Sequence, residues 1–207
     1  MEATSPTRNS EAIREVLAKF LPSQGTVLEI GSGAGDHVLH FARQLPALTW
    51  QPTEIDPDAL AALTARVAEA ALDNLLPPIE LDVQRQPWPG SQVAAVLALD
   101  LVNRMPWENV LALFFGASRS MLSAGMLFIY SAVRFNGRYT APVNEERDHA
   151  LRARDERFAM RDIRELTVAG TRTGFGLERT LAMPDDHHAL VFKRRQILPP
   201  TGAFNIG

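Results

Sequence analysis

The 207-residue sequence contains no cysteine. Disulfides, thiolate metal sites and a cysteine nucleophile are therefore excluded, and a secreted disulfide scaffold with them. Long apolar runs are missing too. Nothing approaches the ~18 consecutive apolar residues of a membrane span. The first ten residues, M-E-A-T-S-P-T-R-N-S, are polar and lack the apolar centre of a signal peptide, so a cytoplasmic location is expected. Neither sign of charge dominates: 21 Lys and Arg stand against 24 Asp and Glu, a formal net charge of −3. That is too little for a general field attracting nucleic acid or an anionic membrane. Repeats and low-complexity segments are absent. What remains is an ordinary balance, 46% hydrophobic and 22% charged, in a chain long enough for one α/β domain.

The chain is organised around Val27–His37, V-L-E-I-G-S-G-A-G-D-H. Val27, Leu28 and Ile30 predict a short buried strand. Gly31, Gly33 and Gly35 then place a residue without Cβ at every second position, and a helical pattern follows with Val38, Leu39 and Phe41. Strand, glycine turn and helix let a backbone approach a nucleotide closely, with unpaired N–H groups at the helix start. A dinucleotide loop usually reads G-x-G-x-x-G. Here the spacing is G-S-G-A-G, with Glu29 two residues ahead of it. This variant resembles the first motif of class I S-adenosylmethionine (SAM) methyltransferases. In that fold Glu29 organises the loop and faces the methionine end of the ligand. An acid suits a cationic sulfonium and amine better than a pyrophosphate.

In chain order, residues 1–9 are expected to form an irregular arm and 10–21 an amphipathic helix capped by Ser10. Arg8 and Asn9 are either a solvated tail or a lid over the ligand. Helix Asp36–Leu45 leads to a strand at Leu48–Thr53, with Trp50 in or beside the core. That strand ends in T-E-I-D-P. An acid about twenty residues after the glycine loop can bind ribose hydroxyls. Glu54 is preferred for this role, and Asp56 before Pro57 reads as a helix N-cap. Pro57–Leu72 is the next helix and Ile79–Val83 the third strand. Asp82 and the Val83 backbone stand at its carboxyl end for an adenine ring. Val93–Leu99 is the central strand, buried on both faces.

Asp100, Asn103 and Arg104 follow that strand and are candidate active-site residues. The D/N-P-P-Y signature of amino-group methyltransferases acting on nucleobases or glutamine is absent. Helix Trp107–Met121 precedes a fifth strand, Met126–Val133. Arg134–Asn144 is expected as a loop covering the substrate, with Arg134 and Asn144 able to hold a polar acceptor. Glu145–Ala169 reads as one charged helical stretch with a solvated face, because its signs interleave. Phe175–Met183 and Leu190–Lys193 close the fold as an antiparallel hairpin with His187 and His188 at its tip. Adjacent strand residues point to opposite faces, so the two histidines are not a metal pair. Residues 199–207 read as a loose tail. The alternation predicts a single α/β domain, a Rossmann-like, doubly wound, seven-stranded and mostly parallel sheet.

These residues together resemble one family, the group of class I SAM methyltransferases long filed as a domain of unknown function, which includes methyltransferase-like protein 26. The matching stretches are S-P-T-R-N-S-E-A-I, T-V-L-E-I-G-S-G-A-G-D-H, L-P-A-L-T-W-Q-P-T-E-I-D-P, L-D-V with W-P, M-P-W, L-F-F-G-A, L-R-A-R-D, M-R-D-I and M-P-D-D-H-H-A-L-V-F. The W-Q-P segment is absent from methyltransferases in general. The resemblance implies SAM binding through Glu29, Gly31, Gly33, Glu54 and Asp82, with Arg8 and Asn9 near the ligand. Ser32, Gly35, Ile55, Val83 and Asp100 complete the candidate cofactor set. S-adenosylhomocysteine (SAH) would be the product.

Three segments depart from the family pattern. An N-M-x-H-like segment reads D-L-V-N, Y-G-P-F reads Y-S-A-V, and M-P-A-N-N reads M-P-D-D-H. All fall where the methyl acceptor should sit, so a divergent member with its own substrate is expected. The leading expectation is methyl transfer to a small molecule. Asp100, Asn103 and His187 are the catalytic candidates, Arg104, Arg134 and Asn144 the substrate-binding ones, and no metal is called for. Arsenic-type acceptors, which need protein thiolates, are disfavoured, and nucleic acid is the weaker partner. A homodimer stays open. Two other readings stay open: a module that binds SAM without turnover, and an NAD-dependent Rossmann oxidoreductase.

Overall fold

The structure, a computed structural model, describes residues 5–89 and 92–195, with the side chains of all of these except 5–8 and 123. Seven strands form one sheet: β1 Gly25–Ile30, β2 Leu48–Glu54, β3 Ile79–Glu80, β4 Val93–Leu99, β5 Met121–Ser131, β6 Phe175–Met183 and β7 His187–Arg194. Their order is β3-β2-β1-β4-β5-β7-β6. The first five pair in parallel, and β7 runs antiparallel between β5 and β6. Six helices connect them: α1 Ser5–Phe20, α2 Asp36–Gln44, α3 Pro57–Ala70, α4 Trp107–Ser120, α5 Pro142–Arg154 and α6 Ile163–Arg172. This is the Rossmann-like, doubly wound class I methyltransferase architecture with its antiparallel end. No helix among the described residues is long and apolar enough to cross a membrane.

The apolar run V-A-A-V-L-A-L makes β4 the centre, since every one of its residues is buried. Alternation along the strand separates two cores. Val96 and Ala98 join Leu28, Val110, Phe114 and Leu166 on the face of α4 and α6. Ala95, Leu97 and Leu99 join Ile13, Phe41, Trp50 and Leu63 on the face of α1, α2 and α3. Trp50 is fully buried, its ring 5.5 Å from that of Phe41.

Four expectations are corrected. The first helix starts at Ser5, not Ser10, so Asn9 and Ser10 lie inside it. Pro6 is tolerated there because the first turn needs no intrahelical N–H. Strand β3 is only two residues long. Strand β5 begins at Met121, with a register shift before Met126. The charged stretch 145–169 is two helices separated by residues 155–162, and Asp148, Arg161 and Asp162 are buried rather than solvated. Asp162 and Glu165 form a capping box at the start of α6, which the interleaved charges concealed. Asp56 does cap α3, accepting from Ala59 N at 2.8 Å. Residues 1–4 of the arm and the tail 199–207 lie outside the described residues.

Helix α4 lies on the Trp88 ring through Gly116. A Cβ there would meet Trp88 ring atoms at 2.2 Å and 2.3 Å. In an exposed helix a Gly→Ala change stabilises by about 1 kcal/mol. Here the overpacking cost of about 1–3 kcal/mol opposes it. Gly116→Ala is expected to lower the urea midpoint. A raised midpoint would show that Trp88 yields.

Candidate active site

Sheet order reverses between β1 and β4, the place where open α/β sheets bind ligands at the carboxyl ends of their strands. The glycine loop leaves β1 there. Gly33 has φ +54, and a Cβ on it would meet nothing within 4 Å, so its open side borders free space. Gly35 has φ +83, and a Cβ on it would strike Leu63 Cδ1 at 2.5 Å. Its bareness lets α2 sit close to α3. The loop is laced to β2. Ser32 N donates to Thr53 O at 2.7 Å, and Gly33 N donates to Glu54 Oε2 at 2.8 Å. Glu54 Oε1 accepts from Ile55 N at 2.8 Å and Asp56 N at 3.2 Å.

A cavity of about 480 Å³ opens beside this loop, lined among others by Gly31, Glu54, Ile55, Asp82, Val83 and Arg104. Ile55 is half exposed there, a large apolar side chain facing solvent. Asp82 Oδ1 accepts from Gln84 N at 2.9 Å. Val83 O already accepts from Gln86 Nε2 and Trp88 Nε1. Behind the loop Glu29 is 2% exposed, and its Oε2 has no hydrogen-bond partner. Burial pushes its pKa up to about 7, helped by repulsion from Glu54 and opposed by the Ser32 hydroxyl. Asn9 Oδ1 and the Tyr130 hydroxyl are two more buried polar atoms without a partner. Burial raises the pKa of Tyr130, with Asn9 beside it.

A second cavity, about 310 Å³, lies past the end of β4 and is lined among others by Asp100, Arg104, Arg147, Arg154, Met160 and His187. Asp100 takes φ +50, a left-handed conformation that Asp tolerates better than most residues. His187 Nε2 stands 3.1 Å from Asp100 Oδ1. His187 Nδ1 stands 2.8 Å from Asp185 O. A carbonyl can only accept, so Nδ1 carries hydrogen. The ring stacks on Tyr130 at 4.9 Å. Burial alone would lower the pKa of His187, but the hydrogen bond and charge of Asp100 outweigh it and raise the value. Helix α5 holds the turn ahead of it: Arg147 Nη1 donates to Asp185 O at 2.8 Å and Asn144 Nδ2 to Asp186 O at 3.2 Å. His188 faces the other way, its ring 5.0 Å from Phe135.

Several sequence candidates land elsewhere. Asn144 is fully buried and spent on Thr140, Asp186 and Arg147, so it does not reach the second cavity. Arg134 lines a separate hollow with Trp107, Asp162 and Arg164 and touches neither cavity described above. Asn103 borders the second cavity, but its amide is committed. It donates to Ser131 Oγ and Ala132 O and accepts from Arg161 N. It therefore acts as a strut. The Arg8 side chain lies outside the described residues. No group of three or more His, Asp or Glu among the described residues is arranged to hold a metal ion.

A family model described as "Protein of unknown function (DUF938)" matches residues 1–194. The chain belongs to the DUF938 family. Among solved structures, this DUF938 chain is similar to the SAH-bound form of CalO1, a methyltransferase in calicheamicin biosynthesis. The TM-score is 0.71 at 21% identity, over 88% of this chain and 53% of that one. An O-methyltransferase family protein from Burkholderia thailandensis gives 0.75 at 15% identity, over 91% and 56%. Mitomycin 7-O-methyltransferase MmcR gives 0.76 at 15% identity, over 91% and 54%. The chain spans about half the length of these three structures, and at such identities the likeness shows the fold.

Sequence reasoning missed Arg147 and Arg154, which were read as part of a solvated face, and the segment 155–162. That segment forms a wall. Asp155, Arg157 and Phe158 line the first cavity and Met160 the second. Arg161, 7% exposed, pins it by donating to Val102 O, Met105 O and Arg157 O. The M-R-D-I stretch held the only signal, a charged pair between apolar residues.

Proposed function

We propose that this DUF938 chain transfers the methyl group of SAM to a small-molecule acceptor. The observation that carries the reading is the unpartnered Glu29 Oε2 behind a glycine loop that borders a cavity through Gly31. A cationic amine offers that oxygen the partner it lacks. In this reading Glu54 would hold a ribose diol, Ile55 and Val83 would face an adenine ring, and Asp82 would accept from its amino group. A pyrophosphate over the glycine loop would instead meet the Glu29 carboxylate behind it, which disfavours NAD. The structures of like fold, a methyltransferase and O-methyltransferases, support the same reading, as does the motif resemblance to the family of methyltransferase-like protein 26. A cytoplasmic location belongs to the same proposal.

When bound, SAM supplies an electrophilic methyl on a sulfonium, so the protein's main task is alignment. Arg104 borders both cavities, and Asp100 lines the second. The His187–Asp100 pair takes up the acceptor proton. Asn103 positions the wall by tying the end of β5 to Arg161.

The test is calorimetric titration of SAH, with NAD as control, into the wild type and Glu54→Ala. Two charged hydrogen bonds lost to a diol predict affinity about thirtyfold weaker or more in the variant. NAD is expected not to bind. Equal SAH affinity in both proteins would remove Glu54 from the site, and no binding to a folded wild type would overturn the proposal.

A further inference from the structure

We propose that the cavity beyond Asp100 takes a small acceptor carrying a carboxylate or phosphate, read by Arg104, Arg147 and Arg154. The inference rests on the methyl-transfer reading of the same site. Three guanidinium groups from two elements border about 310 Å³. Arg104 ends the short 3-10 turn Val102–Arg104. Arg147 and Arg154 are seven residues apart on α5, two turns along one face.

Several arginines elsewhere in the fold pair with acids. Arg152 meets Asp148, Arg157 meets Asp155, and Arg66 meets Asp36. The side chains of Arg104 and Arg154 make no hydrogen bond or ion pair among the described residues. Arg147 commits only Nη1, to Asn144 Oδ1 and Asp185 O. Asp100 is the one acid among the described residues lining the cavity, and it already faces His187.

Like charges gathered around one hollow repel each other unless water or a ligand answers them. The chain as a whole carries −3, so this is a local feature and not part of a basic surface. Guanidinium forks match carboxylate and phosphate oxygens in pairs. The walls between the arginines are apolar, from Ala132, Ala150, Leu151 and Met160. The volume is at the low end of ligand pockets, roughly 300–1,000 Å³. An organic anion with a compact apolar body and a hydroxyl or amine to be methylated fits this chemistry.

The test titrates 4-hydroxybenzoate, its neutral counterpart 4-hydroxybenzamide, and inorganic phosphate into the SAH-loaded protein and, in parallel, into the ligand-free one. The acid is expected to bind about tenfold more tightly than the amide, with phosphate competing. Arg154→Gln should abolish that preference, and Arg179→Gln, on the exposed part of β6, should keep it. Equal affinity for acid and amide, an identical loss in Arg179→Gln, or no anion binding at about 10 mM overturns the proposal. If Arg154→Gln weakens SAH itself and no anion adds on top, the arginines hold the cofactor's own carboxylate and the proposal also falls. Failure of SAH to bind sinks the methyl-transfer reading instead, and the ligand-free arm still decides the arginine cavity.

Discussion

His187→Ala is expected to lower turnover about 100- to 10,000-fold, the usual range for loss of a general base, while SAH affinity stays within about twofold. Asp185 O fixes the hydrogen on Nδ1, which under the proposed methyl transfer leaves Nε2 to take the acceptor proton. Asp100 holds a proton on Nε2 to a pH above the ordinary 6.5 of histidine, against the effect of burial. The neutral ring accumulates only above that value. Activity should therefore rise with pH through a pKa above 6.5. Asp100→Asn removes the charge that raises it, so the rising limb moves to lower pH. The same ion pair stabilises the fold fully below pH 6.5 and loses that contribution as pH climbs through the raised value. A rising limb that stays in place in Asp100→Asn would take His187 out of the reaction.

Glu29→Gln should give a more stable protein that no longer holds its ligand. The Glu29 carboxyl has its pKa lifted from 4.5 to about 7 in the fold. The unfolded chain thus prefers the ionised form, and the folded state is penalised as pH rises from 4.5 through 7. The full penalty above that range is about 3 kcal/mol, and the amide escapes it. At pH 8 the variant is expected to unfold about 5–10 °C higher. Near pH 4.5 the two proteins should melt together. SAH affinity should fall about a hundredfold, because a buried charge facing the ligand's amine is gone. Equal melting points at pH 8 would mean that water already satisfies Glu29.

The part of the candidate site around the glycine loop was legible in the sequence because its signals are local. A strand, a glycine run and an acid at the next strand end need no distant partner to be recognised. The central strand was equally plain, since seven apolar residues in a row fit only a strand buried on both faces. The part around Asp100 and His187 was not legible, because its pieces come from distant places in the chain. Asp100 meets His187 only after β7 inserts beside β5, and Arg147 matters only because the 184–186 turn folds back onto α5. Interleaved charge made residues 145–169 look solvated, although Asp148 is answered by Met160 N, Tyr139 and Arg152. Those contacts outweigh the burial that would otherwise raise its pKa, and keep it low. Arg134 and Asn144 were proposed from a loop's position, and position alone did not tell which side of the loop faces the cavity.

Arg104 borders both cavities. A single side chain takes one conformation at a time, so whatever settles it on one side alters what the other side meets. The two ligands then cannot be independent. If a loaded cofactor turns Arg104 toward the acceptor, the acceptor tightens the cofactor by the same factor. Under the proposed methyl transfer, discharge of the methyl group would remove a positive charge from the cavity that this guanidinium borders. The order in which the two products leave would then be written in the rotamers of one arginine.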